Sequence, residues 1–184
     1  MEVINSSVFR AIREALTEEE VNVLYDNVVD NNISQQAKDV VKKVADLVTE
    51  YNNDVLNFNI DLDQTSLVEF TGNEGTTMQT LVPDHTVHTG NVLKDNIHKI
   101  SVIINVSSRD DVQGGELTFK HWAPPPRIDN FGSLIVENAE HQPNWTNEQG
   151  TVIMYPSMEQ VGYQLITSGP VKRIKIMFKG ERFK

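Results

Sequence analysis

Residues 97–119 read IHKISVIINVSSRDDVQGGELTF. Residues 100–106 are almost continuously apolar and β-branched, the pattern of a central strand buried on both faces. A polar turn stops this run. Gly114 and Gly115 then lead into a second strand over 115–120, where Leu117 and Phe119 fall on one side of the pleat. A strand covered on both faces needs a layer of structure on each side.

One layer is legible upstream. Thr17-Glu18-Glu19-Glu20 forms a capping box whose three acids suit the positive end of a helix. Val21, Leu24, Tyr25 and Val28 follow at helical spacing until Asn31 and Asn32 break the pattern. Ser34 caps a second helix, in which Ala37, Val40, Val41, Val44, Leu47, Val48 and Tyr51 make one apolar stripe. Asn52 and Asn53 are expected to end it. Residues 1–15 begin with a β-like run over 3–9 and drift toward helix. Each of the two helices has a single apolar face and so requires a sheet to lie on.

The other layer comes from the many short strand candidates: 67–71, 78–82, 86–88, 133–137, 151–155, 163–167 and 171–179. Gly72, Gly75 and Pro83 punctuate the early ones, and a proline-rich excursion over 123–130 is expected to loop across the surface. Together these predict an α+β, mainly β chain: a jelly roll with two N-terminal helices packed on one sheet. A chain of 184 residues fits one domain, with a helical part over about 15–53 and a β core over about 66–184.

Composition narrows the function. A net charge of -10 disfavours nucleic acid as a partner, since phosphate contacts need clustered Lys and Arg. The compact basic group Lys172, Arg173 and Lys175, with Lys179, Arg182 and Lys184 beyond it, reads as the solvated face and exit of a last strand. The chain has no cysteine, which removes disulfides, thiolate metal sites and a cysteine nucleophile. No apolar run reaches membrane-spanning length, so no membrane partner is expected, and no signal-peptide pattern opens the chain. The N-x-S/T triplets at Asn105 and Asn144 are therefore read as chance. Gly114-Gly115 lacks the Lys and helix of a phosphate loop and reads as a turn. Asp110 and Asp111 lack the ligand spacing of a calcium loop and read as a solvated turn. Trp122 and Trp145 flank the proline-rich excursion as packing anchors or part of a contact surface. Nothing resembles a nucleophile elbow.

Four segments, in order, carry a family resemblance. Val87-His88-Thr89-Gly90-Asn91 stands where the family has H-x-D. His98-Lys99-Ile100-Ser101-Val102, continuing through Asp110-Asp111-Val112-Gln113-Gly114-Gly115-Glu116-Leu117-Thr118-Phe119, is similar to its RKLS…DD-x-x-GGEL-x-F block. Residues 150–157, GTVIMYPS, match its G-x-x-x-x-F-P-S strand. Thr167-Ser168-Gly169 and the closing residues 178–184, FKGERFK, match its T-x-G-x-R and G-x-x-F-K ending. From roughly Leu16 to the C-terminus the chain resembles the prolyl-4-hydroxylase-like branch of the Fe(II)/2-oxoglutarate-dependent dioxygenases, of the small bacterial and phage type, whose fold is a double-stranded β-helix.

That family holds Fe(II) with two histidines and one carboxylate, and pairs 2-oxoglutarate with an Arg or Lys deeper in the barrel. The resemblance puts His88 at the first histidine, Gly90 at the carboxylate, Val161 at the second histidine and Val171 at the Arg position. Only His88 could still act as a ligand, as a vestige. Arg173 has the strand parity of Val171 and could supply a displaced anion contact. A relocated metal site would combine Asp84 and His88, which share parity while His85 opposes them, with Glu159 or Gln160. The resemblance with these losses implies a non-catalytic dioxygenase-fold scaffold or interaction protein with no cofactor. Its partners would be other protein subunits of an assembly, cytoplasmic or in a virion. By analogy with phage-type members, a neck, tail or baseplate component is expected. The alternative is an active Fe(II)/2-oxoglutarate-dependent hydroxylase with a rearranged site. A third reading is a small-molecule or anion binder that uses His88 and Arg173.

Overall fold

The computed structural model describes residues 1–6, 9–30, 33–77, 97–108, 110–121, 127–128, 134–135, 139–141 and 146–181. Strands β1 (Glu2–Asn5) and β2 (Arg10–Arg13) precede helices α1 (Glu18–Val29) and α2 (Gln35–Tyr51) and a π-helical turn (Asn52–Leu56). Then come β3 (Asp61–Gly72), β4 (Ile97–Asn105), β5 (Gln113–Gly114), β6 (Leu117–His121), β7 (Arg127–Ile128), β8 (Leu134–Ile135) and β9 (Ala139–His141). The chain closes with β10 (Val152–Pro156), β11 (Gln160–Tyr163), β12 (Ile166–Ser168) and β13 (Val171–Gly180).

The largest sheet has six strands in the order β1-β2-β10-β4-β13-β3, every pair antiparallel. A three-stranded sheet, β11-β6-β9, faces it, accompanied by the pairs β12-β5 and β7-β8. As predicted, β4 lies inside the large sheet, between β10 and β13. Its alternate residues are divided between two cores. Ile100, Val102 and Ile104 join Ile174, Ile176 and Phe178 of β13 under the helices, against Val21, Leu24, Val44 and Val48. Ile103 faces the other way, with Ile153, Tyr155, Leu117, Phe119, Val161 and Val171, in the space between the sheets. This division explains why residues 100–106 show no polar alternation.

Both helices start as their sequences dictate. Glu20 N donates to Thr17 Oγ1 at 3.2 Å while Thr17 N donates to the Glu20 carboxylate at 2.8 Å, completing the capping box. Ser34 Oγ accepts from Ala37 N at 3.2 Å. Asn31 and Asn32 lie outside the described residues, but α1 has already ended at Val29.

Two local expectations need correction. Residues 10–13 do not drift toward helix. They form β2, because Ala11 and Ile12 bury opposite faces of the large sheet and pair with β10. The second α-helix ends where expected, at Tyr51 with Asn52 as its C-cap. The backbone passes into a π-helical turn, and the Asn52 amide then bonds both backbone groups of Phe58, its Nδ2 donating at 2.9 Å and its Oδ1 accepting at 2.8 Å. Residues 163–167 are not one strand. Tyr163 ends β11 and Ile166 begins β12, which belong to different sheets. The strand expected over 67–71 begins earlier, at Asp61. The candidates over 78–82 and 86–88, and Trp122 and Trp145, lie outside the described residues. No helix among those described is long and apolar enough to cross a membrane.

Candidate functional site

The residues between the two sheets line a partly open cavity of about 160 Å³. Its wall is mainly apolar and aromatic: Phe70 from β3, Ile103 from β4, Tyr155 from β10, and Val161 and Tyr163 from β11. Phe70 and Tyr163 are tilted rings 5.3 Å apart, and Tyr155 meets Phe119 edge-on at 5.7 Å. Three charged residues also line it, Glu69 of β3 and Arg173 and Lys175 of β13, and of these Arg173 is the buried one.

Arg173 corrects the sequence expectation of a solvated basic face. Strand β13 alternates: Ile174, Ile176 and Phe178 point under the helices, so Val171 and Arg173 point between the sheets. The guanidinium ends up 2 % exposed. Lys172, by contrast, lies over the Tyr25 ring on the helix side at 5.3 Å. A spacing rule for exposed charges fails here because both faces of β13 are covered.

The GGEL segment explains how a guanidinium is held at that depth. Gly114 and Gly115 both adopt positive φ, +76° and +74°. A Cβ on Gly114 would lie 2.1 Å from Leu165 O, so only glycine allows this close approach to the β11–β12 connection. The turn thereby presents carbonyls inward. Arg173 Nη2 donates to Gly115 O at 2.5 Å and to Asn147 Oδ1 at 2.7 Å, and Asn147 Nδ2 donates to Gly114 O at 2.6 Å. Leu117 N donates to Thr146 Oγ1 at 2.9 Å, fixing the same two segments together. Burial pulls the Arg173 pKa down to about 10, against the attraction of Glu116 and Tyr163. Nε and Nη1 are buried and have no hydrogen-bond partner among the described residues.

The other positions named by the resemblance separate into two groups. Val161 is 5 % exposed on the inward side of β11, opposite Phe119, and forms part of the cavity wall. Val171 is fully buried, opposite Gly72, beside the GGEL turn. Neither side chain carries a donor atom, so a metal finds no ligand at Val161 and a cosubstrate carboxylate no partner at Val171. Asp84, His85, His88 and Gly90 lie outside the described residues. The relocated set of Asp84 and His88 with Glu159 or Gln160 therefore lies in part outside the described residues. Gln160 is half-buried at the start of β11, and Glu159, although buried, does not belong to the cavity wall. Its charge acts instead on Tyr51 of α2, whose pKa is pushed up to about 12 by burial, opposed by Arg10 and reinforced by Glu159. Among the described residues no group of three potential metal ligands converges.

Asn147 and Thr146, which hold the GGEL turn, carry no motif in the sequence. The only signal was Asn147 itself, a polar residue two positions after Trp145, and nothing in its spacing distinguishes it from an ordinary turn asparagine.

Comparison with solved structures gives the same architecture. The chain is similar to a prolyl-4-hydroxylase from Pseudomonas putida with TM-score 0.61 and 12% identity, over 95% of this chain and 85% of that one. A prolyl hydroxylase from Trichoplax adhaerens, solved with a hypoxia inducible factor oxygen degradation domain peptide fragment, matches with TM-score 0.60 and 11% identity, over 97% and 86%. The viral collagen prolyl hydroxylase of Paramecium Bursaria Chlorella virus-1, solved as a 2OG complex, matches with TM-score 0.56 and 11% identity, over 95% and 97%. No family model and no curated protein matches the sequence. At these identities the likeness is one of fold, and the fold is that of the prolyl-hydroxylase-type 2-oxoglutarate dioxygenases, a jelly roll with two helices on its large sheet.

Proposed function

We propose that this chain uses the dioxygenase fold without the dioxygenase reaction, as an interaction or scaffold protein whose partners are other protein subunits. The observation that supports this most is Val161. It occupies the inward face of β11 where the resemblance calls for the second metal histidine, and it is packed at 5 % exposure opposite Phe119 as part of an apolar wall. A displaced ligand would have to come from a neighbouring inward residue of the same strand, and that residue is Tyr163, whose ring packs on Phe70. Val171 makes the same argument for the cosubstrate carboxylate. Iron and 2-oxoglutarate do not fit the described part of the barrel, and no catalytic step is assigned to it.

The large sheet, its two helices and the GGEL turn are nonetheless fully formed, which favours a use that needs the fold and not the metal. A virion component, in a neck, tail or baseplate, is one assembly consistent with this reading and rests on analogy alone. Multi-angle light scattering of the purified full chain, alone and with proteins that copurify at stoichiometric ratio, tests it. Self-association or a stoichiometric protein complex is expected. A strictly monomeric chain with no stoichiometric partner would overturn the scaffold role.

A further inference from the structure

We propose that strand β3 is a homodimer interface, pairing antiparallel with the β3 of a second copy about a two-fold axis at Val68. This pairing rests on the proposed interaction role, to which it adds a surface and a partner. Strand β3 is an edge of the six-stranded sheet, and among the described residues nothing pairs with its outer side. Its 12 residues, DLDQTSLVEFTG, contrast with the 4 of β1 at the opposite edge. A long edge is a template for another strand unless it is bulged or guarded by Lys or Pro. Strand β3 contains neither residue type, and its one register shift lies near its start, leaving 65–72 regularly paired with β13. Val68 stands at the middle of this regular stretch. It is 48 % exposed, whereas its neighbours Leu67 and Phe70 pack under the helices and between the sheets.

Register selects the occupant. A two-fold axis normal to the sheet keeps the helices of both copies on one side, so each residue meets one of its own parity. Two centres use almost the whole regular edge: Val68, which pairs 65–71 with themselves, and Glu69, which does so for 66–72. The Glu69 centre sets that carboxylate directly against its own copy, and like charges in opposition destabilise a strand pair. The Val68 centre sets Val68 against Val68, Glu69 against Leu67, Phe70 against Ser66 and Thr71 against Thr65. No charge then opposes a like charge, and the exposed valine gains an apolar cross-strand partner. The contact is self-complementary and closed, so it gives a dimer whose two large sheets run on as one.

Sedimentation equilibrium of the full chain and of two Val68 variants tests the interface. The parent is expected to be a dimer. Val68→Glu puts a carboxylate opposite Lys175 within the chain, which suits the fold, and opposite its own copy across the two-fold, which does not suit the dimer. The dimer dissociation constant should rise about tenfold or more. The chain has no cysteine, so Val68→Cys supplies its sole thiol. Directly opposed strand residues lie about 4.5–5.5 Å apart at Cα, inside the span of a disulfide, so mild oxidation should link this variant into a covalent dimer. Val3→Cys, at a residue 52 % exposed on the β1 edge, should not link. The cysteine pair keeps the test decisive where Val68→Glu does not fold. An unchanged dissociation constant in folded Val68→Glu, or no more linking at Val68→Cys than at Val3→Cys, would overturn this interface and leave the interaction role standing. A monomeric parent with a stoichiometric partner protein would do the same. A monomeric parent with no partner would overturn both.

Discussion

Arg173 shows how a single residue can carry two opposite meanings. In the sequence it stands in an alternating basic cluster, and alternation of charges on a last strand implies solvent. In the fold, β13 is covered on one side by the helices and on the other by the small sheet, so its alternation distributes residues between two cores. Removing the side chain should therefore cost stability. Arg173→Met leaves Gly115 O and Asn147 Oδ1 buried without a donor, for an expected loss of about 1–3 kcal/mol in urea unfolding. A variant as stable as the parent would show that this hydrogen bonding is dispensable. Tyr51 gives a second test at this scale, with a definite sign. Its folded pKa is raised from 10.0 to about 12, so the folded state keeps a proton that the unfolded chain releases. The contribution is fully present below pH 10 and is lost as pH rises toward about 12. Tyr51→Phe should flatten the fall of stability across that window, measured by urea unfolding at stepped pH. Arg173 acts in the opposite direction, since its lowered pKa relieves the cost of its buried charge as pH rises above about 10. Parallel slopes for parent and Tyr51→Phe would contradict the assignment.

At the scale of elements, what was legible followed local chemistry. The helix starts were readable because a capping box and an N-cap serine act within four residues. Thr17→Ala should cost about 1 kcal/mol by the same logic, read as a lowered urea midpoint with an unchanged slope. What was not legible depends on partners distant in sequence. Strand β2 looked partly helical because Arg10-Ala11-Ile12-Arg13 is short, and its pairing with β1 and with β10, some 140 residues away, makes it a strand. The split between β11 and β12 is likewise imposed from outside, by the GGEL turn, whose Gly115 N donates to Leu165 O and whose Glu116 O accepts from Gln164 N. Another glycine fixes the join between the helical and β parts. Gly150 has φ +73°, its carbonyl accepts from both Ala15 N and Leu16 N at 3.1 Å, and a Cβ there would lie 2.1 Å from Leu16 O. Gly150→Ala should therefore destabilise by about 1–3 kcal/mol or more, visible as a fall in melting temperature. An unchanged melting temperature would mean that this junction can relax.

For the whole molecule, fold and chemistry make different demands on the sequence, and one stretch shows how. Residues 97–119 announce the large-sheet strand and the GGEL turn, and the structure uses them to build a two-core jelly roll and to hold a guanidinium between its sheets. Those tasks need apolar residues, glycines and carbonyls, all of which are present. The reaction needs ligand atoms at a few separate positions, and at two positions the resemblance assigns to them stand valines without donors, Val161 in the cavity wall and Val171 beside the GGEL turn. Whether that wall has replaced a metal site is open to a reverse test. Gly90→Asp combined with Val161→His should give the chain measurable Mn(II) affinity where the parent has none. Failure of a folded double variant to bind metal would mean that these positions do not face one another.

The proposed scaffold role requires that the barrel do no oxygenase chemistry. It is tested most directly by anaerobic titration of the purified protein with Fe(II) or Mn(II), followed by an assay for 2-oxoglutarate-dependent succinate formation in air. The account expects no stoichiometric metal binding and no succinate above the protein-free background. One equivalent of bound metal with sustained succinate production would contradict it.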